Sequence, residues 1–377
     1  MKPRIITVTA AAAATLLAIA VPAQAAGGSG WHLTYFTLTG GTMSIDSVAA
    51  SSPANAWAVG YGSSPPSAPE IGLVNRWNGK TWRPVKLPKS VASFAVGPVG
   101  TSSASNVWVF SGGDESVFWN GHKWYIGSLP LAPHNRGPLV NVTSVISPDE
   151  IWAMGYINVS SSREQPYVAE KASHGWKISG LPKSVTAINA AVTAVSTVSA
   201  KDIWAVLGSR TQNPAGVIHW NGKSWSLVPV SSAMAAPNAG DAIVAFSPSN
   251  VYVDDFKPVS DLGSGIWHWN GHSWASVPGP SGIDFAANTY AFGIASDGHG
   301  GIWVLGGGAG SITVPFGAWD YRDGQWTGPV SIPGPSSLGL SGLVSVPGSS
   351  SLWAYGSAFI DFPESTNSEG VVAGYQP

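Results

Sequence analysis

The 377-residue chain has no cysteine. That excludes a disulfide framework, a thiolate-ligated metal or iron–sulfur site, and a thiol nucleophile. Charge is scarce too. Asp, Glu, Lys and Arg make up 10% of the residues, against about 25% in an ordinary soluble domain. The net charge of −2 argues against a nucleic-acid partner and against a polybasic membrane surface. Beyond the first 25 residues no run of about 18 unbroken apolar residues occurs, so no membrane-spanning helix is expected there. No stretch keeps a helical period. What the chain has is 44% hydrophobic residues, 19 Trp, 46 Gly and 29 Pro, enough for a packed core interrupted by many turns.

The start reads as an address. Lys2 and Arg4 precede an apolar, Ala-rich run from Ile5 to Ala20, followed by Pro22 and the small-residue triplet Ala23-Gln24-Ala25. This is the three-part pattern of a secretory signal peptide, expected to be cleaved after Ala25. The expectation is a signal over residues 1–25, a single domain over 26–377, and a secreted, extracellular product of a bacterial cell. Cleavage leaves 16 basic against 20 acidic side chains, a net charge of −4.

The rest repeats. A polar residue, an apolar residue, an aromatic and a short apolar strand recur seven times. The copies are Asn55-Ala56-Trp57, Asn106-Val107-Trp108, Glu150-Ile151-Trp152, Asp202-Ile203-Trp204, Asn250-Val251-Tyr252, Gly301-Ile302-Trp303 and Ser351-Leu352-Trp353. The aromatics stand 51, 44, 52, 48, 51 and 50 residues apart. A second landmark follows each of the first six: an aromatic, a turn, and a Trp five residues on. Four copies carry Asn-Gly between the aromatics, as in Trp77-Asn78-Gly79 with Trp82. The other two run from Lys171 to Trp176 and from Tyr321 to Trp326, with the turn shifted toward the Trp. Asn-Gly and Asp-Gly predict tight hairpins of type I′. A unit of about 50 residues with four short strands predicts an all-β, seven-bladed β-propeller of four-stranded antiparallel blades.

The two ends complete one another. Gly370-Val371-Val372-Ala373-Gly374-Tyr375 matches the strand before the first hairpin, Gly72 to Trp77, and then the chain stops. Trp31-His32-Leu33-Thr34 resembles the strand after it, Trp82 to Val85. The N-terminal strand is therefore expected to finish the seventh sheet and close the ring, which removes the free edges. With Gly112-Gly113 and Gly306-Gly307-Gly308 in place of a recurrent glycine pair, the chain resembles the superfamily of kelch repeats and the galactose oxidase core. The resemblance implies a propeller and no active site. The copper radical site of galactose oxidase needs a Cys–Tyr crosslink, and there is no Cys.

Seventeen of the 19 Trp fall on the repeat, so they are read as packing between blades rather than as platforms for sugar rings. Binding is expected where the repeat varies. Taking the strands outward from the ring axis, the loops after the second strand and those after the outer strand share one face of the disc. They differ in length and chemistry, as binding loops on a rigid scaffold do. The ligand-binding candidates on that face are Glu70, Asp114, Glu115, Arg163, Glu164, Arg210 and Asp361 in the first set, and His134 and Arg136 in the second. Blade five departs most. Tyr252-Val253-Asp254-Asp255-Phe256-Lys257 places two carboxylates in a strand, with Asp261 nearby. Buried carboxylates must be paired, metal-bound or solvated. Asp254, Asp255 and Asp261 are thus suspects for an acid/base pair, Asp254 and Asp255 for a calcium site, and a polar strand end paired with Lys257 is the plainer alternative. No other cofactor is expected, and the protein is expected to be a monomer. The functional expectation is a non-catalytic recognition module for an extracellular glycan or protein. The alternatives are a polysaccharide lyase or glycoside hydrolase using acids of the same face, and a structural spore- or cell-wall-associated protein.

Overall fold

The computed structural model describes residues 19–20, 30–37, 41–92, 96–111, 113–173, 175–208, 216–230, 242–256, 264–280, 289–308, 317–335, 337–359 and 367–377. Seven antiparallel sheets follow one another around a ring. In blade one the inner strand is Thr42–Ser52, the second Asn55–Ser63, the third Ile71–Trp77 and the outer Trp82–Pro84. The inner strands of the later blades are Val96–Ser103, Pro138–Ser147, Ala191–Ser199, Ile243–Ser247, Thr289–Ser296 and Leu338–Ser345. The only helices among the described residues are single turns, Lys89–Ala92 and Lys183–Thr186, in connections on the variable face. None is long and apolar enough to cross a membrane.

The seventh sheet closes as its ends predict. Gly30–Thr37 pairs antiparallel with Ser368–Gln376, Trp31 opposite Tyr375 and Phe36 opposite Gly370. Phe36 and Trp31 are buried. A two-residue strand, Ile19–Ala20, adds a fifth member on the outside, opposite Phe36 and Thr37.

The repeat's chemistry is architectural. Each landmark aromatic sits between its own blade and the next. Trp57 meets Trp119 and Trp124, Trp108 meets Trp176, Trp152 meets Trp220 and Trp225, and Trp353 meets Trp77 and Trp82. Ring centroids lie 5.2–6.1 Å apart in these pairs, mostly edge-on or tilted, the arrangement aromatic quadrupoles favour. In blades two and four the polar residue two before the Trp is an acceptor. Asn106 Oδ1 takes the Trp108 indole N–H at 3.0 Å, and Asp202 Oδ1 takes that of Trp204 at 2.8 Å. The hairpin Trp of one blade donates to the outer segment of the blade before it: Trp124 to Lys86 O, Trp274 to Pro229 O and Trp326 to Pro278 O. Other seam indoles keep the apolar contact alone: the N–H groups of Trp57, Trp82 and Trp353 are buried without an acceptor among the described residues.

The hairpins differ from the expected type I′ turn. In the four Asn-Gly copies only the glycines take positive φ, 92°, 96°, 87° and 95° at Gly79, Gly121, Gly222 and Gly271. The Asn instead stays in ordinary backbone space and folds its side chain over a four-residue loop. Asn78 Oδ1 accepts the N–H groups of Lys80 and Thr81, and Asn120, Asn221 and Asn270 repeat the pattern. An Asn at this place satisfies two amides that the wider loop leaves open. The two-residue turn with both φ positive occurs at Asp323-Gly324, one of the shifted copies, where Arg322 pairs with Gln325.

Candidate functional site

The inner strands enclose a central channel of about 540 Å³. Its shape comes from a local irregularity that the repeat preserves. In blades one, three, four, six and seven the ladder between inner and second strands slips by one residue, at Asp46, Asn141, Thr193, Phe292 and Ser341. In blade two it slips across Gly97 and Pro98. An extra residue in one strand of an antiparallel pair is a β-bulge, which re-aims the side chains beside it. Asp46, Gly97, Pro98, Asn141, Thr193 and Ser341 all line the channel. The bulges lie nearer the start of the inner strands, hence toward the variable face.

At the seam of blades one and seven this lining gathers titratable groups. Asp46 is exposed to the channel and takes a hydrogen bond from the Ser44 hydroxyl at 2.7 Å. Its carboxyl lies above the usual Asp range. Desolvation by the surrounding wall is the main cause, and Glu70 adds a like charge. Tyr355, on the second strand of blade seven, lines the same channel, and burial with the Asp46 charge pushes its phenol up to about 12. The facing residue is Gly342. A Cβ there would stand 2.3 Å from the Tyr355 hydroxyl oxygen, so glycine makes room for the phenol. Tyr61 is raised by Asp46 first, then by burial and Glu70. Asn141 donates from Nδ2 to Val192 O at 3.0 Å, and the Ser47 hydroxyl oxygen accepts the Val99 N–H at 3.2 Å. Both contacts cross from one blade to the next.

The residues singled out in the sequence are spread around the variable face. Glu70 is exposed, directly before the third strand of blade one, and is the one among them that reaches the Asp46 group electrostatically. Glu115 accepts from the Ser111 hydroxyl at 3.3 Å, and Asp114 contributes to raising the Tyr167 phenol, whose burial is the larger cause. His134 is exposed in a tight loop with positive φ at His134 and Asn135, bridged by Ala132 and Arg136. The Arg163 guanidinium donates to Thr186 O at 3.3 Å, and the Glu164 N–H donates to Asn189 Oδ1 at 2.8 Å. Those two positions tie neighbouring loops together. Asp254 is 1% exposed, and its Oδ1 accepts the Ala242 N–H at 2.8 Å, while its own N–H donates to Ala242 O. It thus laces the start of the described inner strand of blade five. The backbone of Asp255 pairs with Gly265. Arg210, Asp261, Asp361 and Lys257 lie outside the described residues. Among the described residues no three His, Asp or Glu side chains are grouped closely enough to hold a metal ion.

Asp46, Asn141, Ser341 and Tyr355 were not among those candidates. A signal for the first two exists. The residue eleven before the landmark aromatic is Asp46, Gly97, Asn141, Thr193, Asp241 and Phe292 in blades one to six, with Ser341 one residue earlier in register. The spacing is constant while the residue type is not.

No family model and no curated protein matches the chain in sequence. In fold it is similar to YCF48 bound to D1 peptide, with a TM-score of 0.57 and 12% identity over 96% of this chain and 98% of that one. It is similar also to a catalytically inactive virginiamycin B lyase from Staphylococcus aureus with quinupristin (TM-score 0.55, 12% identity, 92% and 100% covered). A third is oligogalacturonate lyase in complex with manganese (TM-score 0.55, 8% identity, 96% and 99% covered). These likenesses establish the seven-bladed fold, which hosts unrelated activities.

Proposed function

We propose that the chain is a secreted recognition module, without catalysis of its own, that binds an extracellular ligand on the face bearing the variable loops. Residues 1–25 act as the export signal and 26–377 form the binding domain. A glycan is the first choice of ligand and a protein the second. The observation that carries this reading is the channel. Bulges at matching places in blades one, three, four and seven bring the polar residues Asp46, Asn141, Thr193 and Ser341 to an open space of about 540 Å³, within the size range of small-ligand sites. Propellers of this fold include one bound to a peptide and two lyases, so the fold itself does not choose between binding and catalysis. Asp254, the first suspect for an acid, is buried and occupied with a backbone amide, which favours the binding reading. The test is a glycan and polysaccharide screen on the mature protein, with and without calcium, read for both retention and product release. Retention without turnover is expected. Release of reducing or unsaturated ends, abolished by Asp254→Asn, replaces the binding module with a polysaccharide-active enzyme.

A further inference from the structure

Asp46 does little that the fold requires. A bulge residue needs only to leave the ladder, and the matching positions are filled by Asn141, Thr193 and Ser341. An Asn at position 46 would keep the bond from Ser44 without introducing charge. The carboxylate is nevertheless there, open to the channel. Among the described residues that line the space it is the sole acid, and no Lys, Arg or His accompanies it. The nearest charge that acts on it, Glu70, has the same sign. A carboxylate that opens into a channel without a counter-ion favours a cation that enters from outside. The rest of the lining narrows what that cation is attached to. The Tyr355 hydroxyl, the Asn141 Oδ1 left over from its bond to Val192, the Ser47 hydroxyl hydrogen and Ser341 come from three different blades, one, three and seven. They surround the space rather than lining a narrow tube, and its volume of about 540 Å³ is wide for a single alkyl chain. Donors and acceptors on several sides suit a ring that carries hydroxyls on every edge.

Resting on the glycan reading above, we infer that the central channel is a subsite for a hexosamine unit with a free amino group. Its ammonium pairs with the Asp46 carboxylate, and its hydroxyls meet the polar groups of the neighbouring inner strands. An N-acetylated unit has no charge to offer Asp46 and brings a bulkier group to the same place.

The experiment compares glucosamine tetramers with N-acetylglucosamine tetramers by titration calorimetry on the mature protein, alongside Asp46→Asn and an outer-edge control, Tyr125→Ser. Tyr125 is 43% exposed on the outer strand of blade two, far from the channel. The free-amine tetramer is expected to bind at least tenfold more tightly than the acetylated one. Asp46→Asn is expected to lose at least tenfold for the free-amine tetramer alone, with a melting midpoint no lower than the parent's, and Tyr125→Ser to leave both affinities as they were. Equal binding of the two tetramers overturns the ammonium subsite while leaving the glycan reading in place. So does retention of some other glycan in the screen with neither tetramer bound. Full binding by Asp46→Asn overturns the assignment to this channel. Tight, Asp46-dependent binding of a lysine tetrapeptide in place of the sugars keeps the ammonium pairing and overturns the hexosamine. Silence toward every glycan removes the reading on which the inference rests.

Discussion

Ring closure by a strand from the far end of the sequence makes one side chain a latch. Phe36 belongs to the N-terminal strand of blade seven, is fully buried, and packs edge-on against Trp82 of blade one with ring centroids 5.9 Å apart. Its cluster includes Met43, Ile45 and Val48 of blade one and Val372 of blade seven. Phe36→Ala removes a buried aromatic at the seam where the circle is joined. Such truncations cost about 3–5 kcal/mol, out of a total of about 5–15 kcal/mol for a typical fold. Trp152→Ala, at a seam in the middle of the chain, removes a comparably buried ring and is expected to cost about as much by the same principle. The two should differ in where they loosen the molecule. Opening the latch frees the strand Gly30–Thr37 and bares the edge of Ser368–Gln376 that pairs with it, while the other edge stays paired with Leu352–Phe359. Hydrogen exchange under native conditions, with urea denaturation alongside, separates the two. Phe36→Ala should selectively accelerate exchange in 30–36 and at those amides of 368–376 that bond to it, whereas Trp152→Ala should leave those amides protected to the level set by global unfolding. Removing residues 1–25 keeps the Gly30–Thr37 strand and should preserve protection. A loss under 1 kcal/mol for Phe36→Ala, or unchanged exchange in 368–376, refutes the latch.

Two further outcomes follow from particular contacts. Asp202 Oδ1 accepts from both Trp204 Nε1 and His219 Nε2 at 2.8 Å, with His219 stacked on the Trp204 ring at 4.2 Å. Asp202→Ala should therefore cost about 1–3 kcal/mol for each buried donor left without an acceptor, read as a shift in the urea midpoint at constant slope. Asp202→Asn keeps the acceptor oxygen and should cost clearly less; equal losses would show that the charge, not the acceptor, matters. At Asp46 the sign is opposite to that of a paired carboxylate. Its pKa is raised in the folded protein above the ordinary 3.8, so the folded state holds this proton more tightly than the unfolded one. Its contribution is favourable at low pH and is lost as pH rises from 3.8 through the raised folded value. Asp46→Asn should thus melt no lower than the parent at pH 7, with any advantage vanishing as pH falls through that window. A lower melting midpoint for the variant at pH 7 contradicts this.

The legibility of the fold and the illegibility of the site have one physical origin. Blade-to-blade contacts demand the same chemistry each time. A large aromatic must fill the seam, and in several blades an acceptor such as Asn106 or Asp202, or a carbonyl such as Lys86 O, meets an indole N–H. Those demands fix residue types at fixed spacings, and the spacings survive in the sequence down to the strand shared between the two ends. The turn type was misread because Asn-Gly serves two geometries. Only the side-chain bonds from Asn78 Oδ1 to Lys80 and Thr81 distinguish the wider loop from the two-residue turn at Asp323-Gly324. The channel obeys a looser rule. A bulge demands an extra residue but no particular one, so Asp46, Gly97, Asn141, Thr193, Phe292 and Ser341 occupy matching places with no shared residue type. The bulge also interrupts the alternation by which an inward-facing residue is recognised in a strand. Scarce charges at the strand ends beside the variable loops, such as Glu115 and Arg163, draw attention instead, yet their described contacts are with the protein's own Ser111 and Thr186. A site whose positions are set by backbone register leaves its chemistry free to vary from blade to blade. In this chain the variable position in blade one carries the channel's lone described carboxylate, so its ligand is best sought among cations that fit the space around Asp46.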